Sequence, residues 1–380
     1  MTQANSFSNF VDRPELSDDL HIYDVTLRDG EQTPGVSFSV EEKKEIAHLL
    51  DEAGVGYIEA GFPAVSDDER RAVGEVVGIG TDAKISCLAR CLEDDIDSVI
   101  ETGADAVGVF IAGSDRHLSQ KYGITREEAA EKAFKTVEYA SDHGIEVRFA
   151  VEDSTRSDPD FLRCLYTGAE ERGVDMVGIA DTVGALTPPT TRAMVTKVRD
   201  WVEVPVSVHC HDDLGLSVAN TVAAAEEGAV QLHTTVNGIG ENAGNTPLEE
   251  VAVVLSTQYS FDVVETEKLS RLSEVVEERS GIEVSPTKPV VGKNAFRYES
   301  GVHIEGIAND PETYEVYPPE KVGGEREFEI GKHSGRKAVE FIAEREGIEI
   351  EDEIEEVVED LKSGKDTVSI SELVEEVRER

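Results

Sequence analysis

The chain of 380 residues contains few cysteines and no long apolar run. Its four cysteines, Cys87, Cys91, Cys164 and Cys210, are scattered without a C-x-x-C pair, which argues against a disulfide framework and against a zinc finger. No apolar run approaches the ~20 residues of a membrane-spanning helix. Residues 1–19 are polar and acidic and lack the apolar core of a secretion signal. We therefore expect a cytoplasmic protein that does not bind a membrane.

Positive charge is also scarce. The chain has 36 lysines and arginines against 80 aspartates and glutamates, so its formal net charge is −44. This balance argues against nucleic-acid binding, because phosphate contacts need clustered basic residues. Acidic residues occur in nearly every predicted helix, and such a surface repels itself until salt at ~1 M shortens the Debye length to ~3 Å. We hypothesise a halophilic protein from a salt-rich cytoplasm, a hypothesis that equal activity at low and high KCl would overturn.

Short apolar runs alternate with longer amphipathic runs over about 235 residues, close to the usual length of a (β/α)₈ barrel. The short runs predict strands and the longer runs predict helices. Counting the run before Asp29, eight strands are each followed by a helix, which predicts the α/β class and a (β/α)₈ TIM barrel. The later strands are predicted at 56–60, 84–88, 106–110, 146–150, 175–180, 206–209 and 231–236, and helices at 40–53, 126–143, 159–172 and 214–228.

The domain organisation is predicted from the end of this alternation. We expect a flexible N-terminal lead-in at 1–19, the barrel at 20–280, a small post-barrel subdomain at 281–345 and an acidic helical tail at 346–380. A helix at 265–280 leads through a proline-containing stretch into the α+β or helical subdomain. Gly364 and Asp366 mark a break in the tail.

The segment His209-Cys210-His211 ends the seventh predicted strand with two imidazoles at positions i and i+2. Alternate side chains of a strand point to the same side, so both imidazoles can bind one metal ion. Asp29 ends the first predicted strand. Strands 1, 7 and 8 are neighbours at the C-terminal face of a closed barrel, so these three side chains are predicted to converge there.

The loop after the eighth predicted strand, 237–245, adds amide groups and a carboxylate beside them. In the alternative interpretation, the histidines are hydrogen-bonded structural residues and the loop is only a turn, since glycine and asparagine favour turns. The glycine spacing of this loop does not match the dinucleotide-binding fingerprint. We therefore reject a Rossmann fold.

Five motifs carry a family resemblance. They are DVTLRDGEQTPG at 24–35, HCHDDLG at 209–215, TVNGIGENAGN at 235–245, ESGVH at 299–303 and GKHSGR at 331–336. Together they resemble the isopropylmalate/homocitrate/citramalate synthase family over about residues 20–345. The last two motifs resemble its post-barrel subdomain.

The resemblance implies a Claisen-type condensation, in which the methyl carbon of acetyl-CoA adds to the ketone of a 2-oxo acid and the thioester is then hydrolysed. Acetyl-CoA is thus the implied co-substrate. One divalent metal ion, Zn, Mn or Mg, is implied at Asp29, His209 and His211, with Asn245 as a fourth or outer-shell group.

The catalytic residues implied by the resemblance are Arg28, Glu152, His303 and Tyr314. Arg28 would stabilise the oxyanion or enolate, and Glu152 matches an active-site carboxylate of the family. His303 and Tyr314 match acid/base residues delivered from the partner subunit, which implies a homodimer with a shared active site. His333 is a weaker candidate.

We also predict a substrate-binding set consisting of Arg148, Thr182, Arg90 and Glu241. Arg148 shares a strand face with Glu152 because their spacing is even. An arginine there resembles homocitrate synthases, where it binds the distal carboxylate of 2-oxoglutarate. Thr182 is placed to hydrogen-bond the substrate carboxylate, although a threonine before a loop is often a helix cap.

Homocitrate synthase is therefore the preferred function, with isopropylmalate synthase and citramalate synthase as alternatives. Ala150 stands where homocitrate synthases usually carry serine, and 61–66 looks equally like isopropylmalate synthases. The residues after about 345 are expected to be too few for the leucine-sensing domain of long isopropylmalate synthases. Two further classes stay open: a metal-dependent acyl-CoA lyase of the same superfamily, and a non-catalytic effector-binding barrel.

Overall fold

A computed structural model of the chain describes residues 14–330, 336–346 and 368–369. The described residues form two compact units, which divide after residue 283. No helix among them is both long and apolar enough to cross a membrane. The finer predicted division into a lead-in, a subdomain and a tail stays a prediction.

The first unit is built on a closed barrel of eight parallel strands, in which each strand pairs with the next and β8 pairs with β1. The predicted (β/α)₈ barrel is confirmed. The later strands begin and end within two residues of their predicted positions. The strands are β1 His21–Asp24, β2 Tyr57–Gly61, β3 Lys84–Arg90, β4 Ala106–Ala112, β5 Glu146–Glu152, β6 Met176–Asp181, β7 Val206–Cys210 and β8 Gln231–Thr234.

Helices follow the strands and bury one apolar face against them, as alternating strand and helix patterns require. Five of the ten described helices of this unit begin at a side chain that accepts a backbone N–H; Ser39, for example, forms a reciprocal capping box with Glu42. The helices of this unit are α1 Val40–Glu52, α2 Asp67–Val77, α3 Glu93–Ile100, the short α4 Asp115–His117, α5 Arg126–Asp142, α6 Pro159–Glu170, α7 Pro188–Trp201, α8 Ser217–Glu226, α9 Leu248–Tyr259 and α10 Leu269–Ser280.

The first strand is shorter than predicted. It ends at Asp24, and Asp29 lies in a turn instead of at the strand end. The backbone N–H of Asp29 donates to the carbonyl of Val25 at 2.8 Å, and the N–H of Arg28 donates to the same carbonyl at 3.2 Å. The β-rich composition predicted a strand here. The backbone hydrogen bonds to Val25 instead form a turn at the C-terminal end of the barrel.

The second unit contains a three-stranded sheet in the order β11-β10-β9, where β9 is Arg297–Tyr298, β10 is Glu327–Ile330 and β11 is Val368–Ser369. Its helices are α11 Gly301–Asn309 and α12 Arg336–Glu346. Strand β11 lies in the segment that was predicted to be an acidic helical tail, so the helix prediction is wrong for these two residues. They pair with β10, and composition does not reveal the contacts that stabilise such a pairing. Gly364, Asp366 and His333 lie outside the described residues.

A buried ammonium group connects α1 to the loops that follow β1 and β2. The Lys43 side chain is 1% exposed, and its Nζ lies 2.8 Å from Glu31 Oε2 and 2.9 Å from Glu69 Oε1. The Glu31 carboxylate accepts the N–H of Phe38 at 2.8 Å, and that of Glu69 accepts the N–H of Phe62 at 3.2 Å. One lysine therefore anchors two loops at the C-terminal face of the barrel.

We expect Lys43→Met to lower the free energy of unfolding by roughly 3 kcal/mol, because it leaves two carboxylates without their buried partner. The matched control is Lys44→Met. The Lys44 side chain is 32% exposed, and its Nζ lies 3.9 Å from Glu41 and 3.7 Å from Glu75. Such a surface pair contributes about 1 kcal/mol or less. Urea unfolding followed by circular dichroism measures both, and equal losses would contradict the role given to Lys43.

Candidate active site

The turn after β1 places a guanidinium and a carboxylate side by side at the C-terminal end of the barrel. Arg28 Nη1 donates to Asp29 Oδ2 at 2.7 Å, and Arg28 Nε donates to the Glu59 carboxylate. Glu59 lies on β2 and is fully buried. A buried guanidinium needs carboxylate partners, and here the two partners also fix its orientation.

Three potential metal ligands converge beside Arg28. His209 Nε2 lies 3.4 Å from Asp29 Oδ2, and His211 Nε2 lies 3.9 Å from the same oxygen. One ligand atom from each residue lies within 4.8 Å of the others. The two imidazoles come from the end of β7 and the bridge residue after it, and Asp29 comes from the β1 turn. Two imidazoles and a carboxylate with room for exchangeable ligands form a set that suits a divalent ion.

Asn245 provides an independent test of that fit. Its Oδ1 is buried and accepts no hydrogen bond from any residue that the structure describes. A β-carbon at Gly240 would meet the Asn245 amide and lie 3.4 Å from Asp29 Oδ1, so the amide and the carboxylate approach the same point of the loop. A buried acceptor without a donor is costly unless a cation or water satisfies it. The residues present therefore fit a divalent ion.

The protonation preferences of Asp29 and His209 suit metal binding, whereas that of His211 opposes it. Burial alone would raise the pKa of Asp29, but the charge of Arg28 and the nearby imidazoles outweigh it and hold that pKa well below its usual range. Burial, followed by the charge of His211, lowers the pKa of His209 well below its usual value. Burial would also lower the pKa of His211, but its hydrogen bond to Asp29 raises it. An ionised carboxylate and a neutral imidazole are the ligand forms of these groups.

Glu152 ends β5 and faces three side chains from the segment after β4. Lys121 Nζ lies 2.7 Å from Glu152 Oε1, Tyr122 Oη lies 3.4 Å from Oε2, and His117 Nδ1 lies 3.5 Å from Oε2. Lys121 and Tyr122 belong to a single π-helical turn, Leu118–Tyr122. Such turns are rare and occur often at functional sites.

A cavity of about 210 Å³ joins these groups. It is lined by eight of the predicted residues: Arg28, Asp29, Arg148, Glu152, Thr182, His209, His211 and Glu241. Thr182 Oγ1 accepts the N–H of Asp153 at 2.8 Å, so part of its role is structural. The remaining lining residues are Gln32, Phe62, Leu88, Phe110, Lys121, Ala150, Ala180 and His233.

Four predicted residues are not among those lining this cavity. Arg90 instead forms a two-pronged pair with Asp95, with distances of 2.8 and 2.9 Å. Asn245 is buried beside Asp29, as described above. His303 and Tyr314 belong to the second unit, where their rings lie 4.3 Å apart. Gly306 permits this pairing, because a β-carbon at that position would collide with the Tyr314 ring.

Sequence reasoning missed Glu59 and Lys121. A signal for Glu59 was available: it is the only charged residue of its strand, Tyr57–Gly61. Lys121 offered a weaker signal, because it simply lies in a loop after a barrel strand, where TIM-barrel enzymes place functional residues.

Comparison with known proteins identifies the family. Residues 19–276 match the HMGL-like family model, and residues 290–369 match the model described as homocitrate synthase post-HMGL domain-like. The chain belongs to the HMGL-like family.

Three of the relatives of this HMGL-like protein come from Methanopyrus kandleri. Homocitrate synthase AksA is 51% identical over 369 residues, covering 96% of this chain and 93% of the relative. A probable 2-isopropylmalate synthase is 51% identical and covers 91% and 70%. A putative (R)-citramalate synthase is 47% identical and covers 88% and 67%. The chain is therefore an enzyme of the synthase type, and identity alone does not separate the three names.

A solved structure of hydroxymethylglutaryl-CoA lyase from Pseudomonas aeruginosa has a TM-score of 0.64 at 23% identity, covering 71% of this chain and 95% of the lyase. At that identity the similarity shows the fold alone. None of these similarities bears out the high-salt hypothesis, which stays a prediction from composition.

We expect the chelator-treated protein to bind about one equivalent of Mn²⁺ or Zn²⁺ in calorimetric titration. The Asp29→Asn substitution should weaken that binding by about 100-fold or more, because the substitution removes the charged ligand. His48→Ala is the control, since His48 is an exposed histidine 3.4 Å from Glu52. Unchanged affinity in Asp29→Asn would show that the metal lies elsewhere.

Proposed function

We propose that this chain condenses acetyl-CoA with a 2-oxo acid, and that the acid is 2-oxoglutarate. The enzyme would then be a homocitrate synthase. It would belong to the acyltransferases that convert the acyl group into an alkyl group during transfer. The observation that supports 2-oxoglutarate as the substrate is the position of Arg148, a buried cation that lines the same cavity as the Asp29–His209–His211 cluster. A 2-oxo acid bound at that cluster through its carboxylate and ketone would extend its distal end into the cavity. A second carboxylate there would have a guanidinium partner.

The alternatives lack such support. Isopropylmalate synthase and citramalate synthase act on 2-oxo acids without a distal charge, so Arg148 would face an apolar group. A lyase of the same superfamily is less supported, because the match to the post-HMGL domain covers residues 290–369. The relatives named homocitrate synthase AksA cover nearly the whole chain.

The mechanism follows from the positions of the charged groups. A bound divalent ion would act as a Lewis acid toward the ketone of the oxo acid. Arg28 Nη2 donates no hydrogen bond to another described residue, and it is available to hydrogen-bond the developing oxyanion. Glu152 lines the same cavity, and we assign to its carboxylate the role of the base that takes a proton from the methyl group of acetyl-CoA. Phe62, Leu88 and Phe110 form an apolar wall of the cavity, which limits access of water.

The reaction balances as one carbon–carbon bond formation and one hydrolysis. The methyl group loses a proton, and its electron pair forms the bond to the ketone carbon. The ketone oxygen takes up a proton and becomes a hydroxyl group. Water then cleaves the thioester, releasing CoA and a carboxylate.

We further propose a cytoplasmic homodimer in which His303 and Tyr314 of one subunit complete the site of the other as the acid/base pair. The post-barrel unit supports a contact surface, because Val302, Tyr314 and Val316 are 70%, 43% and 55% exposed. Exposed apolar side chains close together in the chain are typical of surfaces that another protein covers. The histidine ring lies against the tyrosine ring within this unit, so both would reach a site together.

Arg148→Met is expected to lower kcat/KM for 2-oxoglutarate by roughly 100-fold or more, because it removes a charge-assisted contact to the distal carboxylate. Turnover of 2-oxoisovalerate or pyruvate should not fall in parallel. CoA release with the three acids measures this selectivity, and Arg163→Met on the exposed face of α6 is the control. The homocitrate assignment is excluded if wild-type protein prefers a monocarboxylic acid.

Mixing His303→Ala with Glu152→Ala protein tests the shared site. Subunit exchange should restore about a quarter of wild-type activity, because about half of the dimers are mixed and each has one intact site. Each variant alone should be inactive or nearly so. If activity does not return although native mass spectrometry detects mixed dimers, the acid/base pair acts within its own subunit.

A further inference from the structure

Two strand positions beside the Arg148 guanidinium lack a side chain. The interior of a TIM barrel is normally filled by layers of bulky branched side chains. In this barrel the Arg148 guanidinium is bordered by two glycines, Gly108 on β4 and Gly178 on β6. Gly108 pairs with Arg148 itself, and Gly178 pairs with Ala150, which also lacks bulk.

Backbone conformation does not explain either glycine. Neither Gly108 nor Gly178 has a positive φ, so an alanine would fit the backbone at both positions. Glycine within a strand weakens it, because it loses more conformational entropy on folding and has no side chain to pack. A reason other than local structure must therefore account for glycine here.

Space provides that reason. A β-carbon at Gly108 would lie 2.5 Å from Arg148 Nη2 and 3.3 Å from its Cζ. A β-carbon at Gly178 would lie 3.2 Å from Arg148 Nη1 and 3.0 Å from Ser207 Oγ. The 2.5 Å distance at Gly108 would require the guanidinium to move. The 3.2 Å distance at Gly178 would require it to shift by only a few tenths of an ångström. An alanine at Gly108 would therefore displace the guanidinium more than an alanine at Gly178 would.

The guanidinium in this space has hydrogen-bonding capacity to spare. Its ion-pair partner Glu59 is 3.6 Å away from Nη2, which is too long for a hydrogen bond. Its Nε is buried and has no hydrogen-bond partner within the described part of the chain. Its Cζ lies 4.9 Å from the centre of the Tyr23 ring, a cation–π contact that holds the group from one side without using an N–H. A carboxylate is the acceptor that such a group binds best.

We infer that Gly108, with Gly178 in a lesser role, is a specificity-determining residue: it keeps open the space in which the Arg148 guanidinium meets the distal carboxylate of a dicarboxylic 2-oxo acid. This inference rests on the proposed function and adds a second determinant to the arginine itself.

The test is calorimetric titration of the Mn²⁺-loaded protein with 2-oxoglutarate and with pyruvate, without acetyl-CoA. Gly108→Ala should raise the Kd for 2-oxoglutarate by about tenfold or more, as expected when a charge-assisted hydrogen bond is lost, and change the Kd for pyruvate by less than about threefold. Gly178→Ala should weaken 2-oxoglutarate binding less than Gly108→Ala does. Equal weakening for both acids, or none for either, would overturn the inference.

A double-mutant cycle separates this role from a general packing role. In an Arg148→Met background, Gly108→Ala should have no further effect on 2-oxoglutarate binding, because the displaced group is already gone. If Gly108→Ala alone does not fold, the double variant should fold, and its failure to do so would count against a clash with the guanidinium. Additive effects would also overturn the inference. Wild-type protein that binds neither acid and releases no CoA would instead exclude the proposed function itself.

Discussion

Two arginines share one buried carboxylate inside the barrel, and the arrangement of the site depends on that sharing. Glu59 pairs with Arg28 and lies 3.6 Å from Arg148, and it also accepts the hydroxyl of Tyr23 at 2.9 Å. Charges in a barrel interior are stable only when compensated, since an unpaired buried ion costs several kcal/mol. Glu59 compensates both guanidinium groups incompletely, because one carboxylate cannot satisfy ten N–H donors. The remaining donors are what an anionic substrate and a developing oxyanion would use.

The candidate metal-binding cluster depends on the closure of the barrel. The turn after β1 and the end of β7 are far apart in sequence, and the pairing of β8 with both β1 and β7 brings them close together. The ligands then stand on a rigid frame: Asp29 is held by its backbone hydrogen bond to Val25 and by Arg28, and His211 by its bridge to Asn245. Positions fixed in this way allow a site to bind an ion without rearranging, which reduces the entropy lost on binding.

Substrate selection, in contrast, depends on the absence of bulky side chains beside Arg148. Small residues beside Arg148 leave the room that a packed barrel interior would fill, and each missing side chain sacrifices some apolar burial. Such departures from ideal packing are expected at functional sites. The same reasoning applies to the π-helical turn after β4, which presents Lys121 and Tyr122 to Glu152 at the expense of regular helix geometry.

The sequence by itself determined the barrel, because hydrophobic alternation distinguishes buried strands from amphipathic helices. It also determined that His209 and His211 share a side and that Asp29 lies near them, since strand periodicity and barrel closure follow from local pattern. Only the tertiary structure decided which charges pair. Arg90 pairs with Asp95 five residues further along the chain, and Glu59 pairs with Arg28 of a separate turn, because the distances between charged groups are set by the folded backbone. It also decided that Asp29 stands in a turn, where hydrogen bonds to Val25 outweigh the strand preference of the residues before it.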